Sequence, residues 1–516
     1  MTASRVVGAT EFARVRRAVG WRGIAVGLST LVLALGGCAV SQGVRPGGSA
    51  PQPGTVSATD LPARYSKADG ALVRGMSTDT YLDPGRGIRA EVPTFASARH
   101  LTTATGVLRD RALRDAAWAG AREAKVNWQL VAAGNGVLGV LVTAQQSGGP
   151  APIASSSTVW FDAGSGRVSS SPVLIAADQW GSFKNAVAEV AGGLDPIRLS
   201  RALDDAPAPQ GRGPALGFAA NGDLVATFAA GSVADGQVVL QVPGQAVRPL
   251  LSEFGRRALT ASTNPGVFDG TLPPPEPGAQ PAPQPSALNQ IPRPATTVGV
   301  DCARTTCVAL TFDDGPGPST HLVVEGLLAA KAPATFFQLG GMLQAAPEAG
   351  RQVASAGNEI AGHTWSHPTM TQLSADRLAN AEIRRTAEEM VKVYGRAPLM
   401  MRPPSGVHNK ATDKVIGAAG ESLVMWNVDT RDWQHRDTAK TVAEAVKGAD
   451  KPGSIVLMHD IHPSTGAAVP ELVTQLRARG VTLVTVGELT LNTPGFLPGQ
   501  AYCSVPQTGQ PTSGCS

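Results

Sequence analysis

Two short segments of the chain carry side chains that could hold a metal ion and move a proton. Asp313 and Asp314 are adjacent, directly before a Gly-Pro pair, and His363 and His367 follow four residues apart. One carboxylate and two neutral imidazoles are three ligands for a divalent metal, and they leave a position open for water, as catalytic zinc sites do. The second carboxylate could take a proton from that water. The pattern therefore predicts a hydrolytic metal site.

Each segment alone also has a simpler interpretation. A pair of histidines at this spacing is more often part of a solvated polar turn than of a metal site. Asp-Asp-Gly-Pro is a common turn sequence, because Gly and Pro interrupt helices and strands and Asp favours turn positions. The chemical interpretation therefore depends on motifs further along the chain.

Three such motifs follow in order, and with the two segments above they resemble the NodB-homology polysaccharide deacetylases, carbohydrate esterase family four, over residues 298–491. The five motifs lie at residues 311–316, 363–368, 402–406, 429–433 and 457–459. Taken separately, the charged residues of the later motifs could be surface charges and the apolar ones core residues. Five motifs in the family's order favour the resemblance.

The resemblance implies which residues hold the metal and which one acts as the base. Asp313 matches the catalytic base, whereas Asp314, His363 and His367 match the metal ligands. Arg402 matches the residue that pairs with the base carboxylate. The implied cofactor is a divalent ion, zinc first, with cobalt or manganese as alternatives because Asp and His ligands accept several metals.

The later motifs imply the general acid and the substrate pocket. His459 matches the general acid, and Asp432 matches the acidic residue that orients it. Trp433 matches a residue that lines the pocket, and Leu457 matches the pocket for the acetyl methyl group. Ser405 stands where a backbone amide binds the oxyanion. The family usually has tyrosine or phenylalanine there, so we expect the amide contact to be kept and an aromatic wall of the sugar groove to be missing.

The N-terminal segment predicts export. Five arginines between residues 5 and 22 precede an apolar run over 24–35, which is typical of a secretory signal and is short for a membrane span. Residues 35–38 resemble a bacterial lipobox, which implies lipidation of Cys38 and anchoring on the extracytoplasmic face of the plasma membrane, facing the cell wall. The alternatives are an ordinary signal peptide and an uncleaved anchor.

Four cysteines remain after Cys38, and exported proteins allow disulfides. Three pairings are possible, and proximity in sequence favours Cys302 with Cys307 and Cys503 with Cys515. A zinc site is disfavoured, because neither spacing is C-x-x-C and no histidine lies between the cysteines of a pair.

Composition divides the 516 residues into segments. The predicted organisation is a lipoprotein signal peptide at 1–37, a flexible tether at 38–60, an α+β accessory domain at 61–262, a Pro-rich linker at 263–297, the deacetylase domain at 298–491 and a tail at 492–516. The net charge of +4 is too small to argue for a nucleic-acid partner. The sequence leaves the oligomeric state open.

Patterning predicts the fold class of both domains. In the accessory domain, apolar runs flank Gly134-Asn135-Gly136 and Asn221-Gly222, which are hairpin turn sequences. The deacetylase domain alternates predicted strands at 308–312, 334–339, 423–428, 454–458 and 481–486 with predicted helices at 320–330, 374–394 and 470–479. Such alternation argues for a parallel sheet wrapped by helices. The resemblance narrows this α/β fold to a distorted (β/α) barrel.

Membrane tethering beside the wall favours one substrate. The leading hypothesis is metal-dependent removal of N-acetyl groups from peptidoglycan amino sugars, with release of acetate. Alternatives are deacetylation of chitin oligomers or of an O-acetylated polysaccharide such as xylan, and an inactive wall lipoprotein that binds glycan. The accessory domain could serve as a spacer or folding partner, or could bind wall glycan.

Overall fold

The computed structural model describes residues 60–149, 153–208, 210–271, 294–491, 493 and 495–507. The predicted signal peptide, the predicted lipidation site Cys38 and Cys515 lie outside these ranges, as does most of the Pro-rich linker. No helix within them is both long and apolar enough to cross a bilayer.

A six-stranded sheet with a crossover helix comes first in the chain. Its strands are β1 (Met76–Asp83), β2 (Ile88–Phe95), β3 (Glu123–Gly134), β4 (Val137–Ser147), β5 (Ile153–Asp162) and β6 (Arg167–Ser170), hydrogen-bonded in chain order. Neighbouring strands are antiparallel except β2 and β3. Those two are parallel, and helix α1 (Arg99–Trp118) connects them.

A smaller antiparallel sheet and four helices complete this region. They are α2 (Trp180–Val190), α3 (Pro196–Asp204), β7 (Ala215–Phe218), β8 (Leu224–Phe228), β9 (Val238–Val242), α4 (Gly244–Val247) and α5 (Glu253–Thr263). Trp160 and Trp180 are buried in the core of this region, so neither is free to stack on a sugar. This part of the chain thus contains both helices and strands.

Both predicted hairpins are confirmed. Strands β3 and β4 pair around Asn135 and Gly136, which have φ values of 54° and 68°. Positive φ at both central residues is what a type I′ turn requires, and Asn and Gly adopt it at least cost. Strands β7 and β8 pair across the turn at Asn221-Gly222, where Gly222 has a φ of 86°.

The second half of the chain alternates strands and helices. Its strands are β10 (Cys307–Asp313), β11 (Thr335–Gln338), β12 (Glu359–Gly362), β13 (Met400–Met401), β14 (Ser422–Val424), β15 (Val428–Asp429), β16 (Ser454–His459), β17 (Thr482–Val484) and β18 (Ala501–Tyr502). Its helices are α6 (Thr320–Ala329), α7 (Gly340–Ala345), α8 (Pro347–Ser355), α9 (Ala375–Arg377), α10 (Arg385–Tyr394), α11 (Lys410–Ala418), α12 (Asp432–His435), α13 (Thr438–Gly448), α14 (Pro463–Ala478) and α15 (Val486–Thr490).

These strands form one parallel sheet, and the sheet is curled. Its order is β15-β16-β10-β11-β12-β13-β14-β18, with β17 paired to β10. In a flat sheet, the six strand spacings from β15 to β14 would measure about 29 Å. The chain from Val424 to Val428 can span only roughly 14 Å. The two ends of the sheet must therefore approach each other, which gives a curled parallel half-barrel.

The prediction of one strand over 423–428 is wrong. The structure has two short strands instead, β14 and β15, separated by residues 425–427. The guanidinium of Arg402 donates to the carbonyl oxygens of Val424 and Met425 at 2.9 and 3.0 Å. These carbonyls are used by a side chain rather than by a neighbouring strand, and the chain turns from one end of the sheet to the other.

The predicted helix over 374–394 is present but not uniformly α-helical. Ser374 caps its start, and Gly395 follows its end with a φ of 68°. Between α9 and α10, Leu378–Arg384 form a π-helical segment. The helix predicted over 470–479 begins earlier, at Pro463, and includes Pro470.

The N-terminal region and the parallel sheet share a hydrophobic core. Polar contacts also join them: Arg111 and Arg114 each lie 2.9 Å from the buried Glu488, and the Tyr81 hydroxyl lies 2.7 Å from that of Ser355. The described residues belong to a single compact unit. A separate accessory domain with the predicted boundaries therefore stays a prediction.

The Cys302–Cys307 disulfide is present as predicted. Cys503 is also disulfide-bonded. Its predicted partner, Cys515, lies outside the described residues.

Candidate active site

The motif residues meet at one edge of the parallel sheet. Asp313 and His459 are the last residues of β10 and β16 and lie opposite each other in the strand register. His363 directly follows β12, and Arg402 directly follows β13. Because the carboxyl ends of parallel strands share an edge, residues far apart in the chain converge there, as they do in barrel enzymes.

Asp314, His363 and His367 form a set that fits a metal ion. The Oδ1 atom of Asp314 lies 3.4 Å from Nε2 of His363 and 3.5 Å from Nε2 of His367. Donors at zinc bond lengths of about 2.1 Å in tetrahedral geometry are about 3.4 Å apart. The Oδ1 atom is buried without a hydrogen-bond partner among the described residues, which a bound ion would explain.

The protonation states suit metal ligation. Burial alone would raise the pKa of Asp314, but the nearby imidazole of His363 and the charges of His459 and His367 lower it to about 2. Burial, together with the charge of His363, lowers the pKa of His367. The set is therefore an ionised carboxylate beside an imidazole that favours its neutral form, and a metal needs both.

The backbone orients the first histidine. The Nδ1 atom of His363 lies 2.7 Å from the carbonyl oxygen of Arg402, so Nδ1 donates and Nε2 keeps its lone pair for the ion. In the loop from His363 to His367, Thr364 and His367 have φ values of 66° and 59°. Non-glycine residues rarely adopt this conformation, and it is a form of strain often found at functional sites.

Asp313 forms an ion pair with a fully buried arginine. Nη1 of Arg402 lies 2.7 Å from Oδ1 of Asp313 and also donates to the Thr311 hydroxyl at 2.8 Å. The guanidinium stacks on the ring of Phe337, 4.1 Å from its centroid. The other Asp313 oxygen, Oδ2, lies 3.8 Å from Nε2 of His363. One oxygen of Asp313 is thus held by the arginine, and the other lies beside the candidate metal ligands.

A second pair joins His459 to Asp432. Nδ1 of His459 lies 2.9 Å from Oδ1 of Asp432, whose Oδ2 accepts hydrogen bonds from the His459 backbone at 2.8 Å and from Thr465 at 2.7 Å. Burial alone would lower the pKa of His459, but Asp432 and the carboxylates of Asp313 and Asp314 outweigh it and raise the pKa to about 9. His459 is therefore a cation at neutral pH.

The three residues matched to substrate contacts have different surroundings. Ser405 is exposed and has a φ of 55°. Trp433 follows Asp432 in α12 and is 46 % exposed, which is unusual for so large an apolar side chain. Leu457 is buried in β16, two residues before His459 and therefore on the same face of the strand.

Three supporting residues were missed by the sequence analysis. Thr311 bonds to Arg402, Thr465 bonds to Asp432, and Glu382 bonds to the loop that carries the histidines. Thr311 lies within a motif, so its position gave a signal. Thr465 and Glu382 lie in helices, where their residue types are ordinary and carry no signal.

Comparison with known proteins identifies the family to which the chain belongs. The family described as polysaccharide deacetylase matches residues 301–424, a range that contains Asp313, Asp314, His363, His367 and Arg402. A peptidoglycan-N-acetylglucosamine deacetylase of Bacillus cereus is 37% identical over 188 residues, which are 35% of this chain and 87% of that protein. The chain belongs to the polysaccharide deacetylase family. Asp432 and His459 lie outside residues 301–424, the range that the family matches.

Other similar proteins are matched over part of their length. The peptidoglycan-N-acetylmuramic acid deacetylase PdaC of Bacillus subtilis is 37% identical over 183 residues, 35% of this chain and 38% of that protein. This chain thus matches less than two-fifths of the length of PdaC. Among solved structures, a chain described as T48 deacetylase with substrate is 45% identical, with a TM-score of 0.38, covering 39% of this chain and 99% of the other.

Proposed function

We propose that this polysaccharide deacetylase hydrolyses N-acetyl groups on the amino sugars of peptidoglycan and releases acetate. The observation that carries the proposal is the arrangement at the edge of the sheet. A carboxylate paired with a buried arginine and an imidazole paired with a buried aspartate lie beside three metal-ligand side chains. Hydrolysis of an amide needs a base, an acid and stabilisation of the oxyanion, and these groups can supply them.

Asp314, His363 and His367 would hold the divalent ion, which we propose to be zinc, with cobalt or manganese as alternatives. When bound, such an ion supplies activation of water and polarisation of the acetyl carbonyl. Asp313 is the proposed base and takes a proton from the attacking water. The Arg402 ion pair holds one oxygen of Asp313 in place and leaves the other free to accept that proton.

His459 is the proposed general acid. The amine leaves the tetrahedral intermediate poorly unless its nitrogen is protonated. The pKa of about 9 keeps a proton on His459 at neutral pH. Because Asp432 binds Nδ1 of the ring, the other ring nitrogen, Nε2, points away from Asp432. Collapse of the intermediate then yields acetate and a free amino sugar.

The proposed substrate contacts are the Ser405 amide for the oxyanion, Leu457 for the acetyl methyl group and Trp433 for the sugar. Backbone N–H groups make effective oxyanion donors, and loss of one such donor typically costs about a hundredfold or more in rate. The exposed indole of Trp433 offers an apolar face, and an apolar sugar face can stack on it.

Peptidoglycan is proposed as substrate because the relatives described above are named for its N-acetylglucosamine and N-acetylmuramic acid residues. Chitin is the second candidate, since a chitin deacetylase of Pestalotiopsis sp is 31% identical over 67% of its length. An O-acetylated polysaccharide stays an alternative.

We also propose that Cys38 is lipidated and holds the enzyme on the extracytoplasmic face of the plasma membrane. A Cys38→Ser variant that leaves the membrane fraction would support the anchor, and one that stays would contradict it.

The deciding experiment is acetate release by the purified protein on peptidoglycan and on chitin oligomers, with and without a chelator. Chelator-sensitive release from peptidoglycan would support the proposal, and release from chitin alone would change the substrate. Release that survives full removal of metal would contradict the metal site. If no acetate appears on any acetylated glycan while the protein still sediments with the wall, the glycan-binding alternative is favoured.

A further inference from the structure

One buried glutamate holds the loop that carries both histidine ligands. Oε2 of Glu382 accepts hydrogen bonds from the backbone N–H groups of Trp365 and Ser366 at 3.0 and 2.9 Å. Oε1 accepts a third from the Ser366 hydroxyl at 2.9 Å. Glu382 is 4 % exposed, so these bonds form away from bulk water.

The loop is held from its other side by main-chain groups. The N–H groups of Gly340 and Gly341 donate to the carbonyl oxygens of Thr364 and Trp365 at 2.9 and 3.0 Å. The amides of Gly340 and Gly341 thus bind the carbonyls of the loop, and the carboxylate of Glu382 binds its amides. Of these two sets of contacts, only those of Glu382 come from a side chain, so a substitution can remove them.

The two histidines depend on this loop to different extents. The ring of His363 has its own anchor, the carbonyl oxygen of Arg402. The ring of His367 instead lies 3.5 Å, through its Nε2, from Oδ1 of Asp314, which belongs to the ligand set itself. His367 also has a left-handed backbone, with a φ of 59°. Its position must therefore come from the loop backbone, directly after the two amides that Glu382 binds.

The wide turn of the helix brings Glu382 to this place. Glu382 lies in the π-helical segment Leu378–Arg384, and its carbonyl oxygen accepts from the Thr386 hydroxyl at 2.7 Å. A π-helical turn contains an extra residue compared with an α-turn and is frequent at functional sites. It changes the direction in which later side chains leave the helix. The segment is thus a local departure from α-helix at the position where the loop is bound.

We propose that Glu382 is a positioning residue for the metal site, which acts on His367 through the amides of Trp365 and Ser366. The proposal rests on the proposed function, because it takes Asp314, His363 and His367 as the ligands. Residues that orient ligands from outside the coordination shell typically contribute about 10- to 100-fold to metal affinity or activity. Glu382 has this effect without touching the ion or the substrate.

The test is zinc affinity, measured on the full-length protein by competition with a chromophoric chelator. Glu382→Ala removes all three acceptors, and we expect its affinity to fall about 10- to 100-fold. Glu382→Gln keeps an oxygen of the same reach, so it should recover most of the affinity. Glu389→Ala is the matched control, since Glu389 is also buried, lies seven residues later in the same helix and pairs with Lys392 instead of the loop. Its affinity should equal that of wild type.

A spectroscopic measurement separates positioning from general damage. In the cobalt-loaded protein, the visible absorption reports ligand geometry, and we expect it to change in Glu382→Ala but not in Glu389→Ala. If Glu382→Ala fails to fold, Glu382→Asp decides, because its carboxylate is one methylene too short to keep the bonds. Wild-type affinity and spectrum in Glu382→Ala, or in a folded Glu382→Asp, would overturn the proposal, as would equal losses in Glu389→Ala.

The zinc measurement is independent of the substrate. If wild type binds zinc, the Glu382 variants bind it more weakly and no acetate is released from any glycan, the proposed function fails and the role of Glu382 stands. If acetate is released as proposed and zinc affinity does not depend on Glu382, the proposed function stands and the role of Glu382 fails.

Discussion

Asp313 and Asp314 are neighbours in sequence with different proposed roles, and the backbone between them lets their carboxylates reach different partners. Successive side chains of a strand point to opposite faces, so two adjacent aspartates would normally diverge. Asp313 ends β10, but Asp314 has a φ of 73°, a left-handed conformation that Asp tolerates better than most residues. The turn brings Asp314 to the two imidazoles, while Asp313 stays beside Arg402.

Replacing the proposed base should separate chemistry from metal binding. In Asp313→Asn the side chain keeps its shape but cannot accept the proton from water, so kcat for acetate release should fall at least about 100-fold. Zinc affinity should stay within a few-fold of wild type, because Asp314 and the two histidines are unchanged. Acetate assays and zinc titration of the same preparation check both parts. Activity near the wild-type level would exclude Asp313 as the base.

The pairing of His459 with Asp432 should set the alkaline limit of activity. A general acid works while it is protonated, so activity is present below the pKa of His459 and is lost as the pH rises through about 9. In Asp432→Asn the largest of the contributions that outweigh burial is gone, so the limit should move to lower pH. The pH dependence of kcat/KM tests this, and an unchanged alkaline limit in the variant would contradict the pairing.

Much of the candidate site could be predicted because its residues lie in short motifs at strand ends. The supporting residues could not. Thr465 reaches Asp432 across 33 positions of the chain, and Glu382 reaches Trp365 across 17. Threonine at the start of a helix and glutamate within one are ordinary, so only tertiary packing reveals what they bind.

At the scale of elements, sequence periodicity predicted where strands and helices occur better than where they are interrupted. Residues 423–428 are mostly apolar, so they match a single strand, but the capture of two carbonyls by Arg402 splits it. The apolar stripe of residues 374–394 likewise continues through the π-helical segment. The carbonyls in residues 423–428 are bound by a side chain from outside that segment, and no local pattern encodes this contact.

The two glycines that follow α10 and α14 should respond differently to the same substitution. Gly395 and Gly480 have φ values of 68° and 78°, a conformation that costs alanine about 1 kcal/mol. A Cβ at Gly480 meets open space, whereas one at Gly395 would overlap the carbonyl of Thr80 in β1. We therefore expect Gly480→Ala to cost about 1 kcal/mol of unfolding free energy and Gly395→Ala about 2–4 kcal/mol. Urea unfolding of both variants is the measurement. Equal costs would mean that β1 does not pack closely on this helix end.

At the scale of the whole molecule, the contact between the N-terminal region and the parallel sheet contains buried acids. Burial raises the pKa of Glu421 to about 8, against the opposing charge of Arg99 from α1. Burial also raises the pKa of Glu359 to about 7, although the Gly487 amide and Thr335 bond to it. The surroundings of these acids could not be predicted from sequence, since Arg99 and Gly487 lie more than a hundred residues from the glutamates they face.

These acids should make the protein less stable in alkaline solution. Their folded-state pKa values are above the ordinary value of 4.5, so their contribution is fully present below that pH and is lost as the pH rises from there through about 7 to 8. Each group can change the unfolding free energy by up to about 1.4 kcal/mol per pH unit in this window. Urea unfolding at pH 5.5 and pH 9 should show a smaller loss for Glu421→Gln than for wild type. The exposed Glu388→Gln serves as control and should behave as wild type. An identical loss in Glu421→Gln would contradict this account.

The register between Asp313 and His459 has a consequence for how such an enzyme can diversify. The two are opposite each other on adjacent strands, so their separation is inherited from main-chain hydrogen bonding rather than from loop conformation. Segments that follow the strands could lengthen, shorten or exchange residues, as at Ser405, and the distance between proposed base and acid would be conserved. Changes in the segments that contact the polymer would therefore leave the geometry of the proposed base and acid unaltered. The substrate specificity could change while the reaction stays the same.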